Sequence, residues 1–335
     1  MKLGVAVIGG GRWGSNYVRL LLDHPKFVLR ALVDSCPLKL QKCREKYHLD
    51  EQKIPCFQNW QDITHDNLIK VVIVATPATT HYHLIKALLN LGYHVLAEKP
   101  LTTNSLECLE LTQLAKHHDL QLFVDHTYLF NPYVVQCKKL INEGKLGNLR
   151  YGYASRTHFD AIRSDVDCIW DLAIHDLAIF HFILEQKPLK LQAKANYFLR
   201  ENIADVAWLK LIYSDNFVVD IHVSWLNHDK QRKLTIVGEK ASLIFDEMSS
   251  SILTLNSASL REENDNFCPE NKNQETFNFA PFNTLEIVLD AFWDNVTPAP
   301  STVCGSGELA TDLVKILEGF NQSLAKEGVW IDFQK

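Results

Sequence analysis

Leu3-Gly4-Val5-Ala6-Val7-Ile8-Gly9-Gly10-Gly11-Arg12-Trp13-Gly14 decides the fold of this chain. The run Leu3–Ile8 is continuously apolar, which suits a strand buried on both faces. GxGxxG follows at Gly9, Gly11 and Gly14, and behind it Tyr17, Leu20 and Leu21 recur at helical spacing. The glycine pattern alone is a weak signal. Placed after a strand and before a helix, it has the context that dinucleotide binding requires. Gly9 permits the tight turn, Gly11 lets the backbone approach a pyrophosphate, and Gly14 lets the helix pack closely on the strand. The helix N-terminus then offers free N–H groups and a positive dipole end to phosphates. Arg12 and Trp13 are candidate cofactor contacts, with a solvated Arg and a packed Trp as the alternative.

A second strand, expected over residues 28–33, ends at Asp34, which lies 20 residues after Gly14. That is where a carboxylate bonds a ribose hydroxyl pair. It should repel the 2′-phosphate of NADP, and Ser35-Cys36-Pro37 bring no adjacent Arg to accept that phosphate. NAD is therefore expected over NADP.

Alternation continues to about residue 126. Helices are expected over 38–47, 82–91 and 106–117, and strands over 71–75, 95–97 and 122–124. This order argues for a parallel, doubly wound α/β sheet, a Rossmann dinucleotide-binding domain over residues 1–126. The pattern then changes. Helices are expected over 132–143 and 169–184, and strands over 149–158, 191–198, 206–213, 217–225, 233–237 and 241–245. Few helices intervene, so residues 127–335 read as an α+β domain with a large, mostly antiparallel sheet. Its exposed face would suit a partner subunit. Residues 261–275, polar and with four Asn, read as a solvated loop or a mobile flap. Late helices are expected over 282–295 and 307–326.

Ligands of open α/β sheets bind beyond the C-terminal ends of the strands. Thr76, Pro77 and His81 follow one such strand, and Glu98-Lys99-Pro100 follow the next. All are candidate cofactor contacts, although His81 could equally be a capping or core histidine. Lys99, desolvated near a pyridinium, could exchange a proton with a hydroxyl that becomes a carbonyl. A solvated surface lysine is the alternative. Asp171 and His175 are four apart on an expected helix, so they share a face. They read either as a structural ion pair or as a general base tuned by a carboxylate. No third ligand with metal spacing accompanies them, so no metal site is expected.

Composition supports a globular chain of about two domains: 335 residues, 47% hydrophobic and 22% charged. A net charge of −6 leaves no electrostatic footprint for nucleic acid or an anionic membrane. The eight cysteines show no CxxC pair and read as reduced thiols. No stretch is apolar enough to span a membrane, and the apolar run near Met1 is too short for a signal peptide. A cytoplasmic protein is expected.

Three ordered motifs, the glycine loop at Gly9–Gly14, Glu98-Lys99-Pro100 and DxxxH at Asp171–His175, resemble the Gfo/Idh/MocA oxidoreductases over nearly the whole chain. The resemblance implies a catalytic Lys99, a proton relay completed by Asp171 and His175, and hydride transfer between a sugar carbon and the nicotinamide. It implies homodimers or homotetramers formed through the C-terminal sheet. Residues 125–132 and 170–177 are similar to the branch acting at C3 of nucleotide-linked N-acetylamino sugars or their uronates. Many relatives have a Gly-Gly pair shortly before DxxxH; here Cys168-Ile169-Trp170 stands instead, so the pocket wall differs. Tyr128, Asn131, Arg156 and Arg163 are candidate substrate contacts, with core, turn or surface roles as alternatives. Other readings are an inositol, polyol or small-carbonyl dehydrogenase of the same family, and a non-catalytic NAD-binding sensor.

Overall fold

Strand β1 (Leu3–Ile8) lies at the centre of a six-stranded sheet with β2 (Phe27–Val33), β3 (Cys56–Phe57), β4 (Ile69–Val74), β5 (His94–Glu98) and β6 (Leu122–Asp125). The computed structural model describes residues 2–49, 53–160, 162–263, 265–297 and 304–333. The strand order is β3-β2-β1-β4-β5-β6 and every pairing is parallel. Val5, Ala6, Val7 and Val71 to Val74 are all inaccessible to solvent, as a sheet covered on both faces requires. Helices α1 (Arg12–Leu21), α2 (Pro37–Tyr47), α3 (His81–Asn90) and α4 (Ser105–His117) supply that cover. Local chemistry sets their starts. Pro37 occupies the first turn of α2, and the Asn104 side chain accepts from the N–H groups of Leu106 and Glu107 at the head of α4. The chain turns one way from β1 to β2 and the other way from β1 to β4, so the topological switch lies between β1 and β4.

The chain forms two units. The first is Met1–Thr127 with Asn283–Val314, and the second is Tyr128–Phe282 with Lys315–Lys335. Residues 283–314 thus join the sheet-bearing first unit rather than the second, a long-range placement that no local pattern announces. Helix α7 (Thr284–Val296) brings Phe292 against Phe27 and Phe123, at ring-centroid distances of 6.4 and 5.6 Å.

The second unit carries nine strands: β7 (Leu149–Phe159), β8 (Lys190–Asn196), β9 (Val206–Ile212), β10 (Val218–Ser224), β11 (Leu226–Gly238), β12 (Ala241–Asp246), β13 (Leu253–Glu263), β14 (Asn266–Phe277) and β15 (Ile331–Asp332). Their order is β14-β13-β12-β11-β7-β10-β9-β8-β15, and only β7 with β10 is parallel. Helices α5 (Pro132–Asn142) and α6 (Ile174–Leu184) belong to this unit, while α8 (Gly307–Ala325) runs from the first unit's residues into the second's. Helix α6 is apolar nearly all round and deeply buried. It seats Phe180 on β7 where Gly152 leaves room: a Cβ there would meet the Phe180 ring at 3.0 Å.

Two sequence expectations change. The stretch expected as a loop over 261–275 is strand where described: residues 261–263 end β13 and residues 266–275 lie in β14, its antiparallel partner. The helix expected over 169–184 begins as a π turn, Ile169–Ala173, before α6. None of the eight cysteines is in a disulfide. Among the described residues no helix is long and apolar enough to cross a membrane, and no cluster of His, Cys, Asp and Glu could hold a metal ion.

Candidate functional site

In the first unit, the sequence-predicted residues collect at the C-terminal ends of β1, β2, β4 and β5. Gly9 adopts φ +109° against the Ala75 carbonyl, a conformation that a side chain would strain. A Cβ on Gly14 would fall on the Gly9 carbonyl, so only glycine lets α1 approach this closely. A Cβ on Gly11 would meet nothing within 4 Å, so the space over the loop is open. Gly11 caps α1 without a side-chain hydrogen bond, leaving the first N–H groups of the helix to an external acceptor. Open space above main-chain donors fits a dinucleotide pyrophosphate. Arg12 and Trp13 are exposed beside it.

Asp34 is buried at the end of β2. Its Oδ2 accepts from Gly10 N–H at 2.7 Å and its Oδ1 from Cys36 N–H at 2.8 Å. The carboxylate therefore braces the glycine loop itself. Lys39 Nζ stands 3.9 Å from Asp34 Oδ2, a cation that sequence reasoning overlooked because it lies one helical turn further on.

His81 is fully buried. Its Nε2 lies 2.9 Å from the Thr76 carbonyl oxygen, and its Nδ1 lies 3.1 Å from the carbonyls of both Pro100 and Leu101. The ring thus ties the loop after β4 to the loop after β5, which is the core reading rather than cofactor contact. Thr76 accepts from the Thr80 hydroxyl at 2.8 Å, and Pro77 is exposed. Lys99 is buried directly after β5.

Glu98 and Asp125 are direct register partners on the adjacent strands β5 and β6, and both are buried. Asp125, absent from the sequence-derived set, accepts from the Tyr17 hydroxyl at 2.6 Å and from the Thr127 hydroxyl at 2.8 Å. Burial pushes both carboxyls above the ordinary carboxylate range. The Asp125 charge pushes Glu98 further, against the pull of Lys99. An acidic residue closing two neighbouring apolar strands was the available signal.

In the second unit, the π turn carries Asp171. Its Oδ1 accepts from Arg163 Nη1 at 3.1 Å and its Oδ2 from Trp225 Nε1 at 3.2 Å. Arg163 also grips Asp165, at 2.9 and 2.6 Å. Asp167 Oδ1 accepts from the N–H groups of Ile169 and Trp170, both at 3.0 Å, which fixes the start of the turn. His175 lies on α6, with the Tyr128 ring edge-on at 5.1 Å. Tyr128 donates to Glu247 at 2.7 Å and accepts from Arg156 Nη1 at 2.7 Å.

Two expected substrate contacts are otherwise engaged. Arg156 is buried, and its fork is held by Asp176 at 2.9 and 2.8 Å, with the guanidinium 4.4 Å over the Tyr128 ring. Such a bidentate pair leaves little of the fork for a ligand. Asn131 is the cap of α5, accepting from Tyr133 N–H at 2.9 Å. Both side chains serve the tyrosine and its loop. The sequence showed Arg156 without showing that Asp176 would meet it.

Sheet order, open glycine loop and strand-end lysine define a nicotinamide-dinucleotide oxidoreductase scaffold. The family comparison gives it a name. Residues 3–126 match the oxidoreductase family with an NAD-binding Rossmann fold, and residues 134–244 match the GFO/IDH/MocA C-terminal domain. Together the two matches cover more than two thirds of the chain, which belongs to the Gfo/Idh/MocA family.

Among curated relatives, an inositol 2-dehydrogenase/D-chiro-inositol 3-dehydrogenase of Lactiplantibacillus plantarum is 28% identical over 54% of this chain and 52% of its own. A UDP-N-acetylglucosamine 3-dehydrogenase of Acidithiobacillus ferrooxidans is 24% identical over 55% of this chain and 58% of its own. The chain thus spans little more than half the length of these relatives. An inositol dehydrogenase homologue from Azotobacter vinelandii, solved with NADH and myo-inositol, is similar across 99% of this chain and 98% of its own. Its TM-score is 0.83 at 19% identity, a likeness of fold.

Proposed function

We propose that the protein is an NAD-dependent dehydrogenase of sugars or polyols, and that its substrate is a nucleotide-linked amino sugar or its uronate. The observation that carries the reading is the open loop over Gly11 together with a buried lysine at the end of β5. Gly9, Gly11, Gly14 and the head of α1 hold the pyrophosphate, and Asp34 meets the adenosine ribose. Thr76, Pro77 and Glu98 flank the nicotinamide end. Bound NAD supplies the hydride acceptor. In the first unit Lys99 holds the substrate hydroxyl and takes up its proton. In the second unit Asp171 and His175 form the proposed proton relay. Tyr128, edge-on to His175, contacts the sugar, and Arg163 holds Asp171 in place. The reverse reaction, reduction of a keto sugar, uses the same groups.

Similarity to both an inositol and a UDP-sugar dehydrogenase supports the wider substrate class, and residues 125–132 and 170–177 support the narrower one. The absence of disulfides among the eight cysteines agrees with a cytoplasmic setting.

The test is turnover with NAD, followed at the absorbance of the reduced cofactor, on free inositols, aldoses, UDP-N-acetylglucosamine and its uronate. Activity on the nucleotide-linked sugars is expected. Activity confined to inositols would overturn the substrate branch, and NAD binding without turnover on any of them would overturn the dehydrogenase. Lys99→Ala should lower turnover by about 100-fold or more while keeping NAD affinity. Full turnover in that variant would remove Lys99 from the mechanism.

A further inference from the structure

Beside the lysine assigned to proton transfer lie two buried acids whose protons the proposed chemistry does not use. Glu98 and Asp125 face each other across adjacent parallel strands, so their side chains leave the same face of the sheet. Tyr17, buried on α1, stands against both. Its single phenolic proton is committed to Asp125 Oδ2 at 2.6 Å. Toward Glu98 the same oxygen can therefore only accept, and an ionised carboxylate has nothing to donate. Glu98 satisfies this contact when it carries a proton. Its Oε1 has no hydrogen-bond partner among the described residues, an expensive position for an anion.

Charge arithmetic agrees. With Lys99 as ammonium, the group of three is neutral when the two carboxyls hold one proton and carries −1 when they hold none. A buried net charge is costly, and two neighbouring carboxylates resist double ionisation.

We propose that Glu98 and Asp125 share one proton, and that this pair is the counter-charge that positions Lys99 for proton transfer. The inference rests on Lys99 being the catalytic lysine. Glu98 and Asp125 are then positioning residues that act through it. The charged or titratable groups facing the pair are Tyr17 from α1 and Lys99 after β5. Beside it lie buried His126, next in sequence to Asp125, and buried His81, whose ring lies on the carbonyls of Pro100 and Leu101. Thr127 completes the set as the second donor to Asp125. Loss of the shared proton at higher pH adds a negative charge beside Lys99.

Difference infrared spectroscopy of the full-length protein with NAD reads the proton directly. The wild type is expected to show the carbonyl stretch of a buried, protonated carboxylic acid at neutral pH, lost on alkaline titration. Glu98→Gln should abolish this band. Asp125→Asn, which removes the like charge, should move the midpoint down by about one pH unit or more. Tyr17→Phe keeps the ring in the core but removes both the donor to Asp125 and the acceptor facing Glu98, so the midpoint should move by about half a pH unit or more. Tyr17→Phe keeps the test open if Asp125→Asn does not fold. The pH profile of kcat should shift in the same direction as the band in Asp125→Asn and Tyr17→Phe, with KM for NAD changed by no more than about twofold in these two.

A wild type without the band, or a midpoint unmoved in both variants, overturns the shared proton. A displaced band with an unchanged kcat profile overturns the link to Lys99. Should Lys99→Ala keep full turnover, the dehydrogenase assignment of Lys99 fails while the infrared band remains to be judged by itself.

Discussion

Asp34 shows how much a single residue can disclose. Its distance from Gly14 makes it the expected ribose carboxylate, and it stands directly after β2. The structure adds two things: its oxygens already brace Gly10 and Cys36, and Lys39 stands nearby. Replacing Asp34 with Ser would remove the anion that repels a 2′-phosphate and leave Lys39 to attract one. We predict that Asp34→Ser narrows the preference for NAD over NADP by about tenfold or more in calorimetric affinities. An unchanged ratio would mean that Asp34 does not set the preference. Residues of this kind are legible because strand ends and glycine spacing are local. Tyr17, Asp125 and Asp176 were not legible as a set, because each gains its meaning from a partner distant in sequence. Tyr17 and Asp125 are 108 residues apart. Arg156 and Asn131 stand in the sequence without the partners that engage them, Asp176 and the Tyr133 N–H, which only folding brings to them.

At the scale of elements, periodicity found most strands and helices, including the run from β7 to β12. It failed on β13 and β14, where polar residues on both faces remove the alternation that betrays a strand. It also missed the π turn, since one widened turn leaves a helical pattern almost intact. That turn is anchored by Asp167, and Asp171 within it is held by Arg163 and Trp225. Helix α6 is tied to β7 by the buried Arg156–Asp176 pair, with side chains 5% and 1% exposed. Breaking one partner of such a pair strands a buried charge. Asp176→Asn should therefore destabilise the protein by about 3–5 kcal/mol in chemical denaturation. The double variant Arg156→Met, Asp176→Leu should recover most of that loss, because neither charge remains. Equal destabilisation in both would show that packing, not charge, links α6 to the sheet. The double variant should still lose activity if Arg156 orients Tyr128 beside His175.

The whole molecule follows from two sheets of opposite habit. In the first, parallel strands are covered on both faces, and their C-terminal ends gather the glycine loop, Asp34 and Lys99. In the second, α6 lies on one face, and the other presents Tyr151 and Tyr153 from β7 and Trp208 from β9, 49%, 40% and 50% exposed. The register places all three on one side of the sheet, with Trp208 stacked on His222. An aromatic row of this kind suits a second copy of the chain, as the family resemblance implies. Light scattering should find a dimer or tetramer, and Trp208→Glu should weaken assembly by about tenfold or more. A wild-type monomer would dismiss the idea. The same sheet must also avoid unwanted partners at its rim. Strand β14 is outermost, 12 residues long, with Pro269 and the charges of Glu270, Lys272 and Glu275 along it. A bare apolar rim of that length would template fibrous stacking between molecules. Proline lacks the donor that such stacking needs, and the charges make it repulsive. The stretch that looked least structured in sequence therefore keeps the protein dispersed.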